Sequence, residues 1–175
     1  MNQSKNYFLV GPMGSGKTAV GRQLAKLLKY EFIDSDEEIE LRTGVDISFI
    51  FDKEGESGFR AREEKIINEM TERNNIVLAT GGGAILSKHN RKHLISKGVV
   101  IYLFASIEKQ VERTHRGKER PLLINKNSRM VLHDLMEIRD PLYRNIADFI
   151  IMTDGRKINS VAKEIFNEIT KRNII

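Results

Sequence analysis

Residues 11–18 read Gly-Pro-Met-Gly-Ser-Gly-Lys-Thr, which matches the pattern GxxxxGK[ST]. The stretch follows an apolar run at residues 7–10 and precedes a segment with apolar side chains at helical spacing. Between a strand and a helix, this pattern is typical of a loop that binds phosphate. Its glycines let successive backbone N–H groups face one centre, to which the N-terminus of the following helix adds positive charge. We therefore expect a phosphate loop at residues 11–18, with a plain glycine turn as the alternative.

Lys17 and Thr18 supply the charge and the hydroxyl of the phosphate loop. We expect the ammonium of Lys17 to neutralise the β- and γ-phosphates of a nucleotide, and the hydroxyl of Thr18 to coordinate Mg²⁺. A surface lysine and a helix-capping threonine are the alternatives. On this interpretation the loop holds a polyphosphate together with its metal.

Four further apolar runs predict strands, at residues 31–34, 76–80, 99–104 and 149–152. Segments with helical periodicity lie between or after them, at residues 20–28, 63–70, 107–111, 131–138 and 161–169. Strands that alternate with helices predict an α/β fold with a parallel sheet covered on both faces. Because the chain has 175 residues, we expect a single domain over residues 1–175.

Two segments depart from this alternation. Residues 36–62 combine short helix-like pieces with three phenylalanines and several turn-prone glycines, and we interpret them as an inserted substrate-binding lobe. Residues 114–127 are polar and basic, and we interpret them as a mobile lid. The turn-prone glycines of the lobe are Gly44, Gly55 and Gly58.

The composition limits the class of protein. Hydrophobic residues make up 40% and charged residues 30%, which fits a folded globular chain. No apolar run approaches the length of a membrane span, and the absence of cysteine excludes disulfides and thiolate metal sites. The net charge of +5 comes from scattered basic residues, and there is no tryptophan for base stacking. We expect a cytoplasmic monomer that binds neither nucleic acid nor membrane.

Asp34 and Asp36 stand at the end of the second predicted strand. Alternation along a strand would place both carboxylates on one face, at the edge where α/β sheets bind ligands. One carboxylate can serve Mg²⁺ through water, while the other accepts a proton or hydrogen bond from an attacking hydroxyl. The alternative is an Asx turn in which Asp36 caps the next helix. Glu37, Glu38 and Glu40 resemble the solvated face of that helix.

Gly81, Gly82 and Gly83 follow the third predicted strand. Three consecutive glycines at the carboxyl end of a strand allow backbone N–H groups to approach a ligand, such as a hydroxyl or carboxylate, and a loose turn is the alternative. Arginine side chains can hold a carboxylate or phosphate at two points. Taken singly, however, each arginine fits a solvated surface position better, so their selection depends on the resemblance below.

In this order the motifs resemble those of the shikimate kinases, from residue 7 to about residue 169. Beside the phosphate loop, they comprise Asp34-Ser35-Asp36, Gly55-Glu56 with Phe59-Arg60 and Glu63, Ala79-Thr80-Gly81-Gly82-Gly83, Arg120-Pro121-Leu122-Leu123, and Arg139 with Pro141-Leu142-Tyr143. The resemblance implies a P-loop kinase of the nucleoside-monophosphate-kinase type, with a five-stranded parallel sheet. It also implies transfer of the γ-phosphate of ATP to the 3-hydroxyl of shikimate. Arg144 and Asn145 depart from the family, which often has acidic residues there.

The resemblance further implies a role for individual residues. Asp36 would contact the shikimate hydroxyls and orient or deprotonate the nucleophile, while Arg60 and Arg139 grip the carboxylate beside Gly81, Gly82 and Gly83. Phe51 and Phe59 would form apolar walls, and Asp34 would serve Mg²⁺ with Thr18. Arg120 would reach the phosphates from the lid, and Arg113 and Arg156 would lie near adenine. The implied nucleotide-binding set is Gly14, Ser15, Gly16, Lys17, Thr18, Ala19, Arg113, Arg120 and Arg156.

Three other functions fit part of the sequence. Gluconate kinase is the nearest, because a sugar acid would satisfy much of the same site. A P-loop switch protein is the second, but residues 125–128 lack the acidic residue of a guanine-binding signature. A nucleic-acid-binding role is the third and is supported only by charge.

Overall fold

Five parallel strands form one sheet in a computed structural model that describes residues 5–115, 123 and 127–172. The strand order is β2-β3-β1-β4-β5, and β1 hydrogen-bonds to β3 on one side and to β4 on the other. Each strand lies within one residue of its predicted bounds, so the five predicted strands are confirmed. The strands are β1 (Asn6–Val10), β2 (Glu31–Asp34), β3 (Ile76–Ala79), β4 (Gly98–Phe104) and β5 (Phe149–Met152).

Helices connect these strands and cover both faces of the sheet. Five of them contain the predicted helical segments, whereas α4 was not predicted, because its buried residues are only Asn90 and Leu94 and give no apolar periodicity. The helices are α1 (Lys17–Leu28), α2 (Ser35–Thr43), α3 (Ile47–Thr71), α4 (Lys88–Lys97), α5 (Ile107–Thr114), α6 (Ser128–Ile146) and α7 (Ile158–Lys171), with a short 3₁₀ helix at Ala84–Leu86.

The central strand β1 is buried along its whole length. Because side chains alternate along a strand, Tyr7 and Leu9 pack with α1 and α7, while Phe8 and Val10 pack with α2, α3, α4 and α6. Helices on both faces leave the carboxyl ends of the strands as the open edge. That edge is where the functional residues must lie.

Residues 36–62, the predicted lobe, form α2 and the first part of α3. Gly44 ends α2 with a φ of 72°, and Gly55 interrupts α3 with a φ of 70°. Gly58 was predicted to lie in a turn, but it lies inside α3, which continues to Thr71. The segment at residues 63–70 is therefore the last part of α3 rather than a separate helix, and the bent α3 joins the lobe directly to the core.

Most of the predicted lid lies outside the described residues. Of residues 114–127, the structure describes 114, 115, 123 and 127. Arg120 lies outside the described residues. In the described part of the chain, no helix has both the length and the apolar character needed to cross a membrane.

Candidate active site

A cavity of about 500 Å³ lies at the carboxyl edge of β1, β2 and β3. We call it the acceptor cavity. Its wall combines carboxylates, guanidinium groups, glycines and aromatic rings beside the phosphate loop. Among the lining residues are ten that the sequence singled out: Thr18, Asp34, Asp36, Phe51, Phe59, Arg60, Gly81, Gly82, Gly83 and Arg139. The fold thus gathers residues from five separate motifs around one space.

The phosphate loop bends sharply and leads into α1. Gly16 precedes the helix with a φ of 90°, a left-handed conformation that side chains rarely adopt. The ammonium of Lys17 lies inside the loop, where its Nζ donates to the carbonyl oxygens of Gly11 (2.8 Å) and Pro12 (2.7 Å) and to Ser15 Oγ (3.3 Å). The first N–H groups of a helix have no intrahelical acceptor and carry positive partial charge. The loop therefore offers two sources of positive charge to an anion.

Thr18 and Asp34 place two oxygen ligands side by side at the start of α1. Thr18 Oγ1 donates to Asp34 Oδ2 at 2.6 Å. The other carboxylate oxygen, Asp34 Oδ1, accepts from the N–H groups of Asp36 (2.9 Å) and Glu37 (3.2 Å) and so caps α2. A hydroxyl and a carboxylate are donors that Mg²⁺ prefers, and they lie beside a loop suited to phosphates, so these residues fit that ion.

The strand argument for Asp34 and Asp36 was wrong in its geometry. β2 ends at Asp34, and Asp36 lies in the first turn of α2. The capping alternative was also wrong, because Asp34 rather than Asp36 is the N-cap. Asp36 nevertheless faces the acceptor cavity, and its Oδ1 lies 2.8 Å from the point that a Cβ on Gly81 would occupy.

Glu63 and Arg60 form a largely buried ion pair in the cavity wall. Arg60 Nη1 donates to Glu63 Oε1 at 2.8 Å, and Arg60 Nη2 donates to Glu56 Oε1 at 3.1 Å. Burial raises the pKa of Glu63 to about 7; Arg60 opposes this shift and Asp36 adds to it. Burial opposes the charge of Arg60, but Glu63 and Glu56 more than offset it and raise its pKa. Arg60 is therefore a cation fixed at the wall of the cavity.

Gly81 and Gly83 make room for these charged groups. A Cβ on Gly83 would lie 2.2 Å from Arg60 Nη2, and one on Gly81 would lie 2.7 Å from Glu63 Oε2. Neither glycine has a positive φ, so the requirement is space rather than an unusual backbone conformation. The N–H of Gly81 donates to Ser35 Oγ at 3.0 Å and so does not face a ligand, which corrects the expectation at this residue.

Arg139 brings a second guanidinium to the cavity from α6. The side chain is 3% exposed, and its Nε has no hydrogen-bond partner among the described residues. Burial lowers the pKa of Arg139, yet the ordinary value of an arginine is so high that the group stays charged near neutral pH. A buried cation with an unused donor is costly without an anion nearby. The arrangement therefore suits an anionic ligand.

Phe51 and Phe59 form an apolar wall of the same cavity. Their ring centroids are 5.0 Å apart, and the guanidinium carbon of Arg60 lies 5.1 Å from the ring centroid of Phe59. The cavity therefore offers one apolar surface beside its charged groups.

Arg113 and Arg156 lie outside the acceptor cavity. Arg113 Nη1 donates to the carbonyl oxygen of Gly14 at 2.8 Å, and Nη2 donates to that of Thr153 at 3.0 Å, so α5 is tied to the phosphate loop. Arg156 pairs with Glu164 and donates to the carbonyl oxygen of Met152, beyond the end of β5. The structure places only Arg113 in contact with the loop.

Four acidic residues of the cavity were missed as site residues: Glu37, Glu40, Asp46 and Glu63. Glu37, like Glu40, was expected on a solvated helix face. Glu40 was assigned to a solvated face, but it lines the cavity and accepts from the N–H of Ile47 at 3.2 Å. Glu63 was quoted only as part of a motif. Its position three residues after Arg60 on one helix could have indicated the pair, because such residues lie on the same side of a helix.

Comparisons with known proteins identify close relatives. A family model described as shikimate kinase matches residues 13–170. The shikimate kinase of Pasteurella multocida is 56% identical over 170 residues, which cover 97% of each chain. The shikimate kinase from Acinetobacter baumannii, solved in complex with shikimate, is 49% identical with a TM-score of 0.96, covering 99% of this chain and 97% of that one.

A more distant structure bears on the nearest rival function. A gluconokinase from Sinorhizobium meliloti has a TM-score of 0.60 at 17% identity, over 98% of this chain and 94% of that one. At this identity the likeness concerns the fold alone. Together with the sheet order, these structures confirm the predicted P-loop kinase fold.

Proposed function

The chain belongs to the shikimate kinase family, and we propose that it transfers the γ-phosphate of ATP to the 3-hydroxyl of shikimate, giving shikimate 3-phosphate and ADP. The observation that carries this proposal is the pair of arginines, Arg60 and Arg139, in a cavity beside the phosphate loop. Two cations of this kind suit a carboxylate on the acceptor, while the loop suits the donor.

The donor half of the site comprises the phosphate loop and α1. The ammonium of Lys17, which bonds to the carbonyl oxygens of Gly11 and Pro12, would neutralise the β- and γ-phosphates, and the N–H groups at the start of α1 would add positive charge. Thr18, with Asp34 acting through water, would hold Mg²⁺, which when bound neutralises phosphate charge. Arg113 supports the phosphate loop from α5, and Arg156, which lies farther from that loop, would contact the nucleoside.

The acceptor half comprises the walls of the acceptor cavity. Arg60 and Arg139 bind the carboxylate, and Phe51 and Phe59 pack against the ring. Asp36 accepts the proton of the 3-hydroxyl as the hydroxyl oxygen bonds to the γ-phosphorus and the bond from that phosphorus to ADP breaks. Transfer depends mainly on positioning and on charge stabilisation, which both halves supply.

We assign the two inserted segments of the sequence to the two halves of the site. We propose that residues 36–62 bind the acceptor and that residues 114–127 close over the phosphates, with Arg120 acting on the transferring group. Closure of this kind would exclude water and limit wasteful hydrolysis of ATP. We further propose that the enzyme acts as a monomer in the cytoplasm, where its donor is supplied, without a nucleic-acid or membrane partner.

The aromatic wall of the cavity favours a cyclic acceptor over an open-chain sugar acid. A ring can place one apolar face against Phe51 and Phe59, whereas gluconate carries hydroxyls along its length and would leave some of them against aromatic carbon. This argument separates shikimate from gluconate, although both carry the carboxylate that the two arginines bind.

An assay of ADP release tests the proposal. The purified chain is incubated with ATP and Mg²⁺ in the presence of shikimate, of gluconate, or of no acceptor. We expect shikimate to stimulate ADP release strongly and gluconate to leave it at the level without acceptor. If shikimate fails to stimulate release, the proposed function is wrong.

A further inference from the structure

Tyr143 lies one helical turn after Arg139 on α6, so both side chains point toward the same region of the molecule. The residue is 1% exposed. Its hydroxyl donates a hydrogen bond to the carbonyl oxygen of Gly82, in the loop after β3. A buried tyrosine thus joins α6 to the wall of the acceptor cavity.

Gly82 lies between the phosphate loop and Arg139. A Cβ on this residue would lie 3.3 Å from the backbone nitrogen of Met13 in the phosphate loop and 3.5 Å from Arg139 Nη1. Its two neighbours border the acceptor groups, because Gly81 packs against Asp36 and Gly83 packs against Arg60. A shift of Gly82 would therefore disturb the acceptor groups and the phosphate loop together.

The hydroxyl of Tyr143 also interacts with the guanidinium of Arg139. Burial raises the pKa of Tyr143 above its ordinary value, and the charge and hydrogen bond of Arg139 oppose this rise only in part. The hydroxyl therefore keeps its proton and remains a donor to Gly82. The hydroxyl oxygen of Tyr143 thus interacts with both the carbonyl of Gly82, in the loop after β3, and the guanidinium of Arg139, which faces the cavity.

Tyr102 provides a natural comparison. Its ring packs on that of Tyr143, with centroids 4.9 Å apart, and it too is fully buried. Its hydroxyl, however, donates to Asp140 Oδ1 at 2.6 Å, and Asp140 in turn accepts from Arg144 at 2.7 Å. The two stacked tyrosines therefore share their packing environment, but only the hydroxyl of Tyr143 contacts a residue that lines the cavity.

We propose that Tyr143 is a positioning residue for the acceptor. Its hydroxyl holds the carbonyl of Gly82 and the guanidinium of Arg139 in one arrangement, so that Arg139 meets the acceptor carboxylate in a single orientation. Tyr143 acts through these two groups and does not touch the substrate. This inference rests on the proposed function, in which Arg139 binds the carboxylate of shikimate.

The test compares Tyr143→Phe with Tyr102→Phe, because each variant removes one buried hydroxyl and keeps its ring. We expect Tyr143→Phe to raise the KM for shikimate about tenfold, because a misoriented Arg139 loses part of its charged hydrogen bond to the carboxylate. The KM for ATP should rise less than threefold, because Lys17 still bonds to the phosphate loop, and kcat should fall less than threefold. Tyr102→Phe should leave all three constants within twofold, although both variants lower Tm.

A second measurement, the shift of Tm by shikimate, applies even if Tyr143→Phe is less stable than the original chain. At one fixed concentration, shikimate raises Tm more the more tightly it binds the folded protein, so this rise should shrink in Tyr143→Phe and persist in Tyr102→Phe. In an Arg139→Lys background the added Tyr143→Phe change should have little further effect on the KM for shikimate, because both changes act on one contact.

An unchanged KM for shikimate in Tyr143→Phe would overturn the inference, as would an equal rise in Tyr102→Phe, which would indicate a general packing effect. Full additivity with Arg139→Lys would also overturn it. These outcomes differ from failure of the proposed function itself, in which the unaltered chain shows no shikimate-dependent ADP release.

Discussion

Replacing Gly83 with alanine should displace Arg60 without altering any charged group. The new Cβ would lie 2.2 Å from Arg60 Nη2 and 2.5 Å from both Cζ and Nη1. Carbon and nitrogen atoms that are not bonded pack at about 3.5 Å, so the guanidinium must move by about 1 Å or more. Arg60 is also held by Glu56 and Glu63, which limits the directions in which it can move.

The expected rise in the KM for shikimate follows from the hydrogen bond to the carboxylate that the displaced guanidinium of Arg60 would lose. A hydrogen bond between charged groups contributes about 1.5–3 kcal/mol, and a guanidinium that is out of place forfeits part or all of it. Because about 1.4 kcal/mol corresponds to a factor of ten, the KM for shikimate should rise about 10- to 100-fold. The KM for ATP should change less than twofold, since Arg60 does not contact the phosphate loop.

Steady-state kinetics of ADP release, with each substrate varied in turn, measure both constants. Gly155→Ala is the matched control, because Gly155 has a φ of 66° and nothing lies within 4 Å of its Cβ position. That change should lower Tm through backbone strain while leaving both KM values intact. Gly82→Ala, with closest contacts of 3.3–3.5 Å, should have a smaller effect than Gly83→Ala. A shikimate KM within twofold of the original in Gly83→Ala would refute the steric argument.

Three further predictions concern other parts of the site. Asp36→Asn should reduce kcat by at least about 100-fold while ATP binding, measured by calorimetry, survives; normal turnover would remove its assigned role. Burial raises the pKa of Glu63 to about 7 from the ordinary 4.5, so the contribution of this group to the free energy of unfolding should fall by about 3 kcal/mol as pH rises through that interval. Urea unfolding of the original chain and of Glu63→Gln, from pH 4.5 to 8, measures this contribution, which the variant should lack. If the free energy of unfolding changes equally with pH in both proteins, the assignment is wrong. Arg113→Ala should raise the KM for ATP more than that for shikimate, because the phosphate loop loses the bond to Gly14.

The strands and the phosphate loop could be predicted because their signals are local. Each strand is a short apolar run, and the phosphate loop is one contiguous motif whose chemistry depends on its own backbone. The helix α4 was missed for the opposite reason, because Asn90 and Leu94 are its only buried residues and the remainder is solvated.

Asp36 shows how a correct position can follow from an incorrect geometry. Strand alternation was invoked to bring it beside Asp34, but β2 ends at Asp34 and a capping hydrogen bond starts a helix there. Both side chains face the acceptor cavity because the first turn of α2 begins at the edge of the sheet. The sequence contains the capping residue, but it does not reveal where the strand ends.

The packing around the glycines could not be predicted from the sequence. Gly81 borders Glu63 and Gly83 borders Arg60, and these pairs are brought together by the approach of α3 to the loop after β3. Nothing in the local sequence indicates which side chains will fill the space that a missing Cβ leaves. The same holds for Tyr143, whose hydroxyl reaches Gly82 across 61 positions of sequence.

The order of the strands accounts for the order of the subsites. β2 and β3 lead into Asp36 and Gly81, β1 leads into the phosphate loop, and β4 leads toward Arg113, which bonds to Thr153 just after β5. In the proposed function, the sites for the acceptor, the phosphates and the nucleoside would therefore follow one another along a single edge of the sheet. The proposed function would place phosphoryl transfer above the boundary between β3 and β1, where Thr80 donates to the carbonyl oxygen of Leu9 through both its N–H and its hydroxyl. On this proposal, the hydrogen-bonded register of two adjacent strands would set the distance between donor and acceptor, because each half of the site begins where one of them ends.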